Sequence, residues 1–263
     1  MAVHRPHQSV IGISAPKIGG AKNNVFIAHG HHDDDYIFKV TDFPMAAKNQ
    51  IVARRMQTVG IRVPDITIMR AGGQVFETYP MIPGKTLYEC IGDGKMSDAD
   101  IRDIYMRMLK LVYCMSFIQT CGLSDMQLMR ADKITRANIG NVNGDVMGTM
   151  AAAVVRMANR GPREIHGLYH FEMTPKNVIV GAAPDNRLAL IDMDSVGVCD
   201  KNFAIAMMVA KYAQMGYPIA DLLDYYEHIS HNPLNRGRIG RIVDITNAGK
   251  TMLWHHAQKN KSR

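Results

Sequence analysis

The sequence predicts a two-lobed α+β protein, on three observations. Residues 1–82 are short β-prone runs punctuated by glycine, with one helical segment among them. A Pro83-Gly84 step follows, and from Ser97 onward apolar residues recur at helical spacing. One β-rich stretch that bears glycine and aspartate, Gly167 to Val198, interrupts the helices. The order sheet, helix, sheet, hinge, helices, β-loop, helices gives a small β-rich N-lobe over 1–82 and a larger helical C-lobe over 83–263, with a cleft at the hinge.

Each element has a local reason. Gln8 to Ile13, Asn24 to Ala28 and Tyr36 to Val40 are β-runs, the last bounded by the polar stretch Gly30 to Asp35. Ala46 to Val59 carries a helical stripe through Ala47, Ile51, Val52 and Met56, stopped by Gly60 and Pro64. Asp65 to Met69 and Gln74 to Met81 are two further β-runs joined by the turn Arg70 to Gly73. Ser97 and Asp100 form a capping box ahead of a stripe through Ile101, Ile104, Tyr105, Met108, Leu111, Val112, Met115 and Ile118, which reads as core. Val146 to Arg160, Phe203 to Met215, Ile219 to Ile229 and Arg238 to Lys259 are the remaining helix candidates.

Composition narrows the function classes. With 263 residues, 47% hydrophobic and 21% charged, the chain can bury a large core and is neither disordered nor fibrous in type. Cys90, Cys114, Cys121 and Cys199 show neither metal-ligand nor disulfide-framework spacing, which points to buried thiols in a reducing cytoplasm. No apolar run is long enough to span a bilayer. Met1 to His7 lacks an apolar core segment, so a cleavable secretory signal is not expected, although export by a dedicated system stays open.

The net charge of +7 is concentrated at one end, since residues 235–263 hold seven bases against the single acid Asp244. Such a tail reads as a solvated terminal helix or as a contact for nucleic acid, an anionic membrane or an acidic partner. Nucleic acid is not favoured, because no zinc-finger spacing or RNA-binding aromatic motif accompanies it. His29 to Asp35 has metal-favouring side chains but falls between two β-runs and reads as a polar hairpin loop. Asp221, Asp224 and Glu227 share one helical face, either a solvated acidic surface or a receptor for a cationic substrate.

The chemistry-bearing signal is Leu168 to Val180 followed by Leu188 to Gly197. A histidine, an acid two residues on, an asparagine five further and a second β-run ending in aspartate describe a phosphotransferase catalytic loop and metal-binding turn. Asn177 and Asp192 offer hard oxygen ligands of the kind Mg2+ prefers. Glu172 stands where a carboxylate would orient an attacking hydroxyl and accept its proton, while His170 braces the loop by hydrogen bonding. Upstream, Lys39 lies mid-strand, and Gly19 and Gly20 sit in a segment whose backbone amides could approach phosphates.

Taken in order over residues 18–205, these features resemble the aminoglycoside phosphotransferase and choline kinase-like family. The resemblance is carried by Gly19-Gly20 with Asn23-Asn24, Lys39, Gly60 to Pro64, Ile82 to Leu87, the His170 to Asn177 loop, and Ile191 to Asp194 with Gly197 and Asp200. It implies a bilobal protein-kinase-like fold that binds ATP and Mg2+ in the interlobe cleft. It also implies transfer of the γ-phosphoryl group to a hydroxyl of a small molecule, an antibiotic or metabolite, or of a protein. By that resemblance Lys39 holds phosphates, Asn177 and Asp192 hold metal, and Thr78 to Ile82, with Met81, face the adenine.

Two departures stand out. The family's glycine and aspartate after the loop histidine are here Phe171 and Glu172, and the extra methylene moves the carboxylate outward by about 1 Å. No acid occurs from Phe43 to Pro64, so the helix after Lys39 lacks the usual glutamate partner and offers the neutral amide of Gln50 instead. The alternative to an enzyme is a nucleotide-binding pseudokinase or regulatory module without turnover.

Overall fold

Five antiparallel strands and one helix build the N-lobe in a computed structural model of the protein, which describes residues 12–14, 25–29, 35–119, 129–130, 166–181 and 187–247. The strands are β1 (Gly12–Ser14), β2 (Val25–His29), β3 (Tyr36–Thr41), β4 (Thr67–Ala71) and β5 (Gln74–Pro80), in the sheet order β1-β2-β3-β5-β4. β4 and β5 are joined by Gly72 and Gly73, both at positive φ (57° and 76°), a two-residue turn that glycine adopts without steric cost. The register sets Lys39 opposite Val25 on one side and Glu77 on the other.

Helix α1 (Phe43–Thr58) crosses behind this sheet. Asp42 caps it by accepting from the Met45 amide at 2.7 Å, and Gly60, at φ 79°, follows its end. Its buried face is Ala46, Lys48, Asn49, Val52, Ala53 and Met56. This corrects the expected stripe, because Ala47 and Ile51 are only half-buried and the helix is rotated so that two polar side chains point inward.

The C-lobe follows from β6 (Lys85–Thr86) and α2 (Leu87–Gly92), a short pair that the sequence pattern does not announce. Gly84 makes the approach to β6 possible: it sits at φ 134°, and a Cβ there would lie 2.4 Å from the Val180 carbonyl oxygen. Helix α3 (Asp98–Met115) opens on the predicted Ser97–Asp100 capping box and buries Ile101, Ile104, Tyr105, Met108, Leu109, Val112 and Met115. It packs with α4 (Lys201–Gln214) and α5 (Ala220–Ser230) into one apolar core, where the Tyr105 and Tyr212 rings lie 4.8 Å apart. A further helix, α6, covers 236–247. The expected helix at 146–160, the loop at 30–34 and the basic residues beyond 247 lie outside the described residues.

Between α3 and α4 the chain forms β7 (Met129–Arg130), β8 (His166–His170), β9 (Val178–Val180), β10 (Leu188–Leu190) and β11 (Val196–Asp200). Two three-stranded sheets result, ordered β10-β9-β6 and β7-β11-β8. Segment 60–64 joins the first of them to the N-lobe, since Arg62 bridges Ala189 and its carbonyl accepts from the Leu190 amide at 2.9 Å. Among the described residues no helix is long and apolar enough to cross a membrane, and the described cysteines Cys90, Cys114 and Cys199 are all free thiols, of which only Cys199 is buried.

The start of the basic tail is not simply solvated. Arg238 is 5% exposed and grips Asp200, 4% exposed, through two hydrogen bonds of 3.1 and 2.8 Å. The same carboxylate caps α4 by accepting from the Phe203 amide. Exposed Arg236 pairs with Asp224 and Glu227, and Arg102 pairs with Asp221 at 2.7 Å. The acidic face of α5 is therefore neutralised by this chain's own arginines. Arg238→Met should cost about 3–5 kcal/mol in urea unfolding, because it strands a buried carboxylate, whereas Arg236→Ala should cost under about 1 kcal/mol. Equal costs would contradict this assignment of the two pairs.

Candidate active site

Two antiparallel pairings bring the site together. β8 pairs with β11, setting His170 opposite Val196, and β9 pairs with β10, setting Val178 opposite Leu190. The loop 171–177 and the turn 191–195 must then lie side by side. Backbone bonds close the gap: the Phe171 amide donates to Ser195 at 2.9 Å and the Ile191 amide donates to Asn177 at 3.0 Å. Phe171 is buried against Phe203, ring edge to face at 6.0 Å, so the side chain that replaces glycine here is part of the core.

His170 is 2% exposed, and its Nε2 lies 2.9 Å from the Ile191 carbonyl oxygen, to which it donates. Burial lowers its pKa, which keeps the ring neutral and suits a brace between loop and turn. Glu172 keeps a half-exposed carboxylate, and the Ser195 hydroxyl donates to its Oε2 at 3.0 Å. The Asn177 Nδ2 donates to the Glu172 carbonyl at 2.9 Å, which leaves the amide oxygen, a hard donor, for a cation. Asp192 holds a left-handed backbone, φ 63°, at the head of the 3-10 turn Met193–Ser195. For a non-glycine residue such a conformation costs of order 1–3 kcal/mol and persists where surrounding structure enforces it.

Lys39 reaches this turn from the other lobe. Its Nζ lies 3.0 Å from Asp192 Oδ1 and 2.7 Å from Asp194 Oδ2, and the residue is 4% exposed. Burial opposes its charge, but Asp192, Asp194 and Glu77 outweigh that cost and raise its pKa, so it stays an ammonium. Asp194 is also pressed toward neutrality by burial, yet Lys39 and a hydrogen bond from Asn49 hold its carboxyl below the usual range.

Four residues of the site escape sequence reading. Lys48, 2% exposed, donates to the carbonyls of Met193, Asp194 and Val196 at 3.0, 2.9 and 3.3 Å. Burial pulls its pKa down to about 8, against the attraction of Asp194 and Glu77. Asn49 donates from Nδ2 to Glu77 Oε1 at 2.7 Å and to Asp194 Oδ1 at 2.6 Å. Glu77, 2% exposed, is pushed by burial up to about 7, with Lys39 and Asn49 pulling the other way. Ser195 is the fourth. The available signal is the adjacent polar pair Lys48-Asn49 inside an apolar helical pattern, and an acid one strand away from Lys39.

Other expected site residues are placed differently. Gln50 points away from Lys39, and its Nε2 donates to the Ile66 carbonyl at 2.9 Å. Its side chain belongs to the face next to the turned-in one, so the expected amide partner of the lysine is Asn49's neighbour in sequence but not in role. Met81, 44% exposed, lies at the crossing between the lobes, with its amide donating to the Asp35 carbonyl at 2.7 Å. Gly19 and Gly20 lie outside the described residues. His29 is held by Ser14 at 2.8 Å and Asp35 at 3.0 Å, and among the described residues no group of three or more His, Cys, Asp or Glu is placed to hold a metal.

A small sheet with a buried lysine, joined to a helical lobe whose aspartate turn meets that lysine, is the protein-kinase-like fold that solved choline kinases and aminoglycoside phosphotransferases share. The solved choline kinase LicA from Streptococcus pneumoniae superposes with a TM-score of 0.65 at 15% identity, over 97% of this chain and 87% of that one. The amicoumacin kinase hAmiN, solved with AMP-PNP, Ca2+ and Ami, gives 0.66 at 14% identity, over 96% and 82%. An aminoglycoside phosphotransferase from Streptomyces rimosus, solved with ADP and streptomycin, gives 0.59 at 13% identity, over 87% and 93%. No family model matches the sequence, and no curated protein does.

The buried acid on β5 has a measurable signature. Because the Glu77 pKa is raised on folding, the folded state holds a proton that the unfolded state has lost between about pH 4.5 and 7. The stability of the native chain relative to Glu77→Gln should therefore fall as pH rises through that window and level off above it. Urea midpoints of both proteins from pH 4 to 8 check the sign, and a rising difference would reverse the assignment.

Proposed function

We propose that this protein is an ATP-dependent phosphotransferase that passes the γ-phosphoryl group to a hydroxyl of a small molecule or protein. The observation that carries the proposal is the meeting of Lys39 with Asp192 across 153 residues of chain, beside a loop that presents Asn177 and Glu172. The likeness to kinases supports it at the level of fold.

The donor set suits a divalent cation and a triphosphate. Asp192 offers a carboxylate that is about one-third exposed, and Asn177 offers its amide oxygen. MgATP would supply the transferable group and the positive charge that offsets it. Lys39, kept cationic by its acidic neighbours, holds phosphate oxygens. His170 fixes loop against turn, which keeps Asn177 and Asp192 at a constant separation.

Glu172 accepts the proton of the attacking hydroxyl. Its longer side chain, relative to aspartate, is restrained by the Ser195 hydroxyl, which limits the rotamers open to the carboxylate. A neutral or anionic acceptor fits better than a polycation, since the acids of α5 already have arginine partners.

With Mg2+ and ATP, phosphate release or transfer should fall at least about 10³-fold in Asp192→Ala and about 10²-fold in Glu172→Ala. Phosphate release that persists in both variants would defeat the proposal. ATP that raises the melting temperature without any phosphate release would instead favour the nucleotide-binding module.

A further inference from the structure

Helix α1 turns Lys48 and Asn49 into the interior, and apolar packing explains neither. Asn49 is wholly buried, and both hydrogens of its amide nitrogen are used, one on Glu77 and one on Asp194. Glu77 stands on β5 directly across the strand pair from Lys39, and Asp194 holds the Lys39 ammonium. A single nitrogen atom thus ties the helix, the sheet and the turn that surround the lysine.

The choice of side chain is chemically narrow. Two carboxylates so close to one point repel each other, and a neutral group with two donors on one atom can bridge them without adding charge. A carboxylate at position 49 would add a third anion, while an apolar residue would leave the buried Glu77 and the partly buried Asp194 each short of a hydrogen bond. Lys48 acts on the same turn from the preceding position, through three carbonyls.

We infer that Asn49 and Glu77 are positioning residues for Lys39. The carboxylate that the helix lacks is supplied by β5, and the Asn49 amide transmits the position of α1 to Glu77 and Asp194. The kinetic consequence rests on the phosphotransfer reading, whereas the ordering of the turn does not.

The test compares the full chain with Asn49→Leu, Asn49→Asp and the exchange variant Asn49→Asp/Glu77→Gln. Two readouts are taken: kcat and KM for MgATP, and amide hydrogen exchange over 191–197 without nucleotide. Asn49→Leu should lower kcat about tenfold with KM within about threefold, and should speed exchange of the turn. Asn49→Asp should lose about 100-fold in kcat. In the exchange variant the amide introduced at position 77 can donate to the carboxylate introduced at position 49, and the charge count is restored. It should recover at least about fivefold of that loss.

Native kcat and native exchange in Asn49→Leu would overturn the inference, as would an exchange variant no better than Asn49→Asp. If Asn49→Leu does not fold, Asn49→Ala, which removes the donors without adding bulk, carries the same expectation. If the native chain shows no turnover, the phosphotransfer reading falls by itself, and exchange of 191–197 decides the positioning role alone: faster exchange upholds it and unchanged exchange ends it.

Discussion

A buried ammonium needs anions, and much of this molecule can be understood from that need. Lys39 is almost wholly removed from water, where an unpaired charge would be prohibitively costly. Its three compensating acids come from two places: Asp192 and Asp194 from a turn in the other lobe, and Glu77 from the neighbouring strand. The small lobe cannot bury its lysine alone. The two lobes therefore share an electrostatic element as well as the backbone bridge at Arg62 and Ala189.

The cluster also shows why polar groups can be concentrated in an interior. Lys39, Lys48, Asn49, Glu77 and Asp194 form a network in which most donors meet acceptors, so each group reduces the desolvation cost of the next. Opposing shifts follow within a few ångströms. Burial acts on all three: Lys39 is held charged because it touches two carboxylates directly, Lys48 is drawn toward neutrality because it donates to uncharged carbonyls and is repelled by Lys39, and Glu77 is brought near the physiological range.

What can be read from the sequence is whatever is written contiguously. The loop from His170 to Asn177 and the turn from Ile191 to Asp194 are short motifs between β-runs, and Lys39 lies in an unmistakable strand, so the outline of the site is legible. Residues whose roles depend on register or helix rotation are not. Glu77 acquires its place only once β3 and β5 pair with Lys39 opposite it. Periodicity puts the α1 face through Ala47 and Ile51, but the helix buries Ala46, Asn49 and Ala53, and that rotation is what makes Gln50 look like the lysine's partner. Arg238 reads as part of a solvated tail because its acid, Asp200, stands 38 positions earlier in the chain.

That distant pairing bears on how the chain is divided into parts. One carboxylate both starts α4 and receives the first turn of α6, so residues 200–238 close on themselves like a belt fastened at a single buckle. The last described helix is consequently part of the large lobe's framework. Trimming the chain to a boundary before Arg238 would not yield a smaller version of the same molecule; it would unfasten the lobe that carries the aspartate turn.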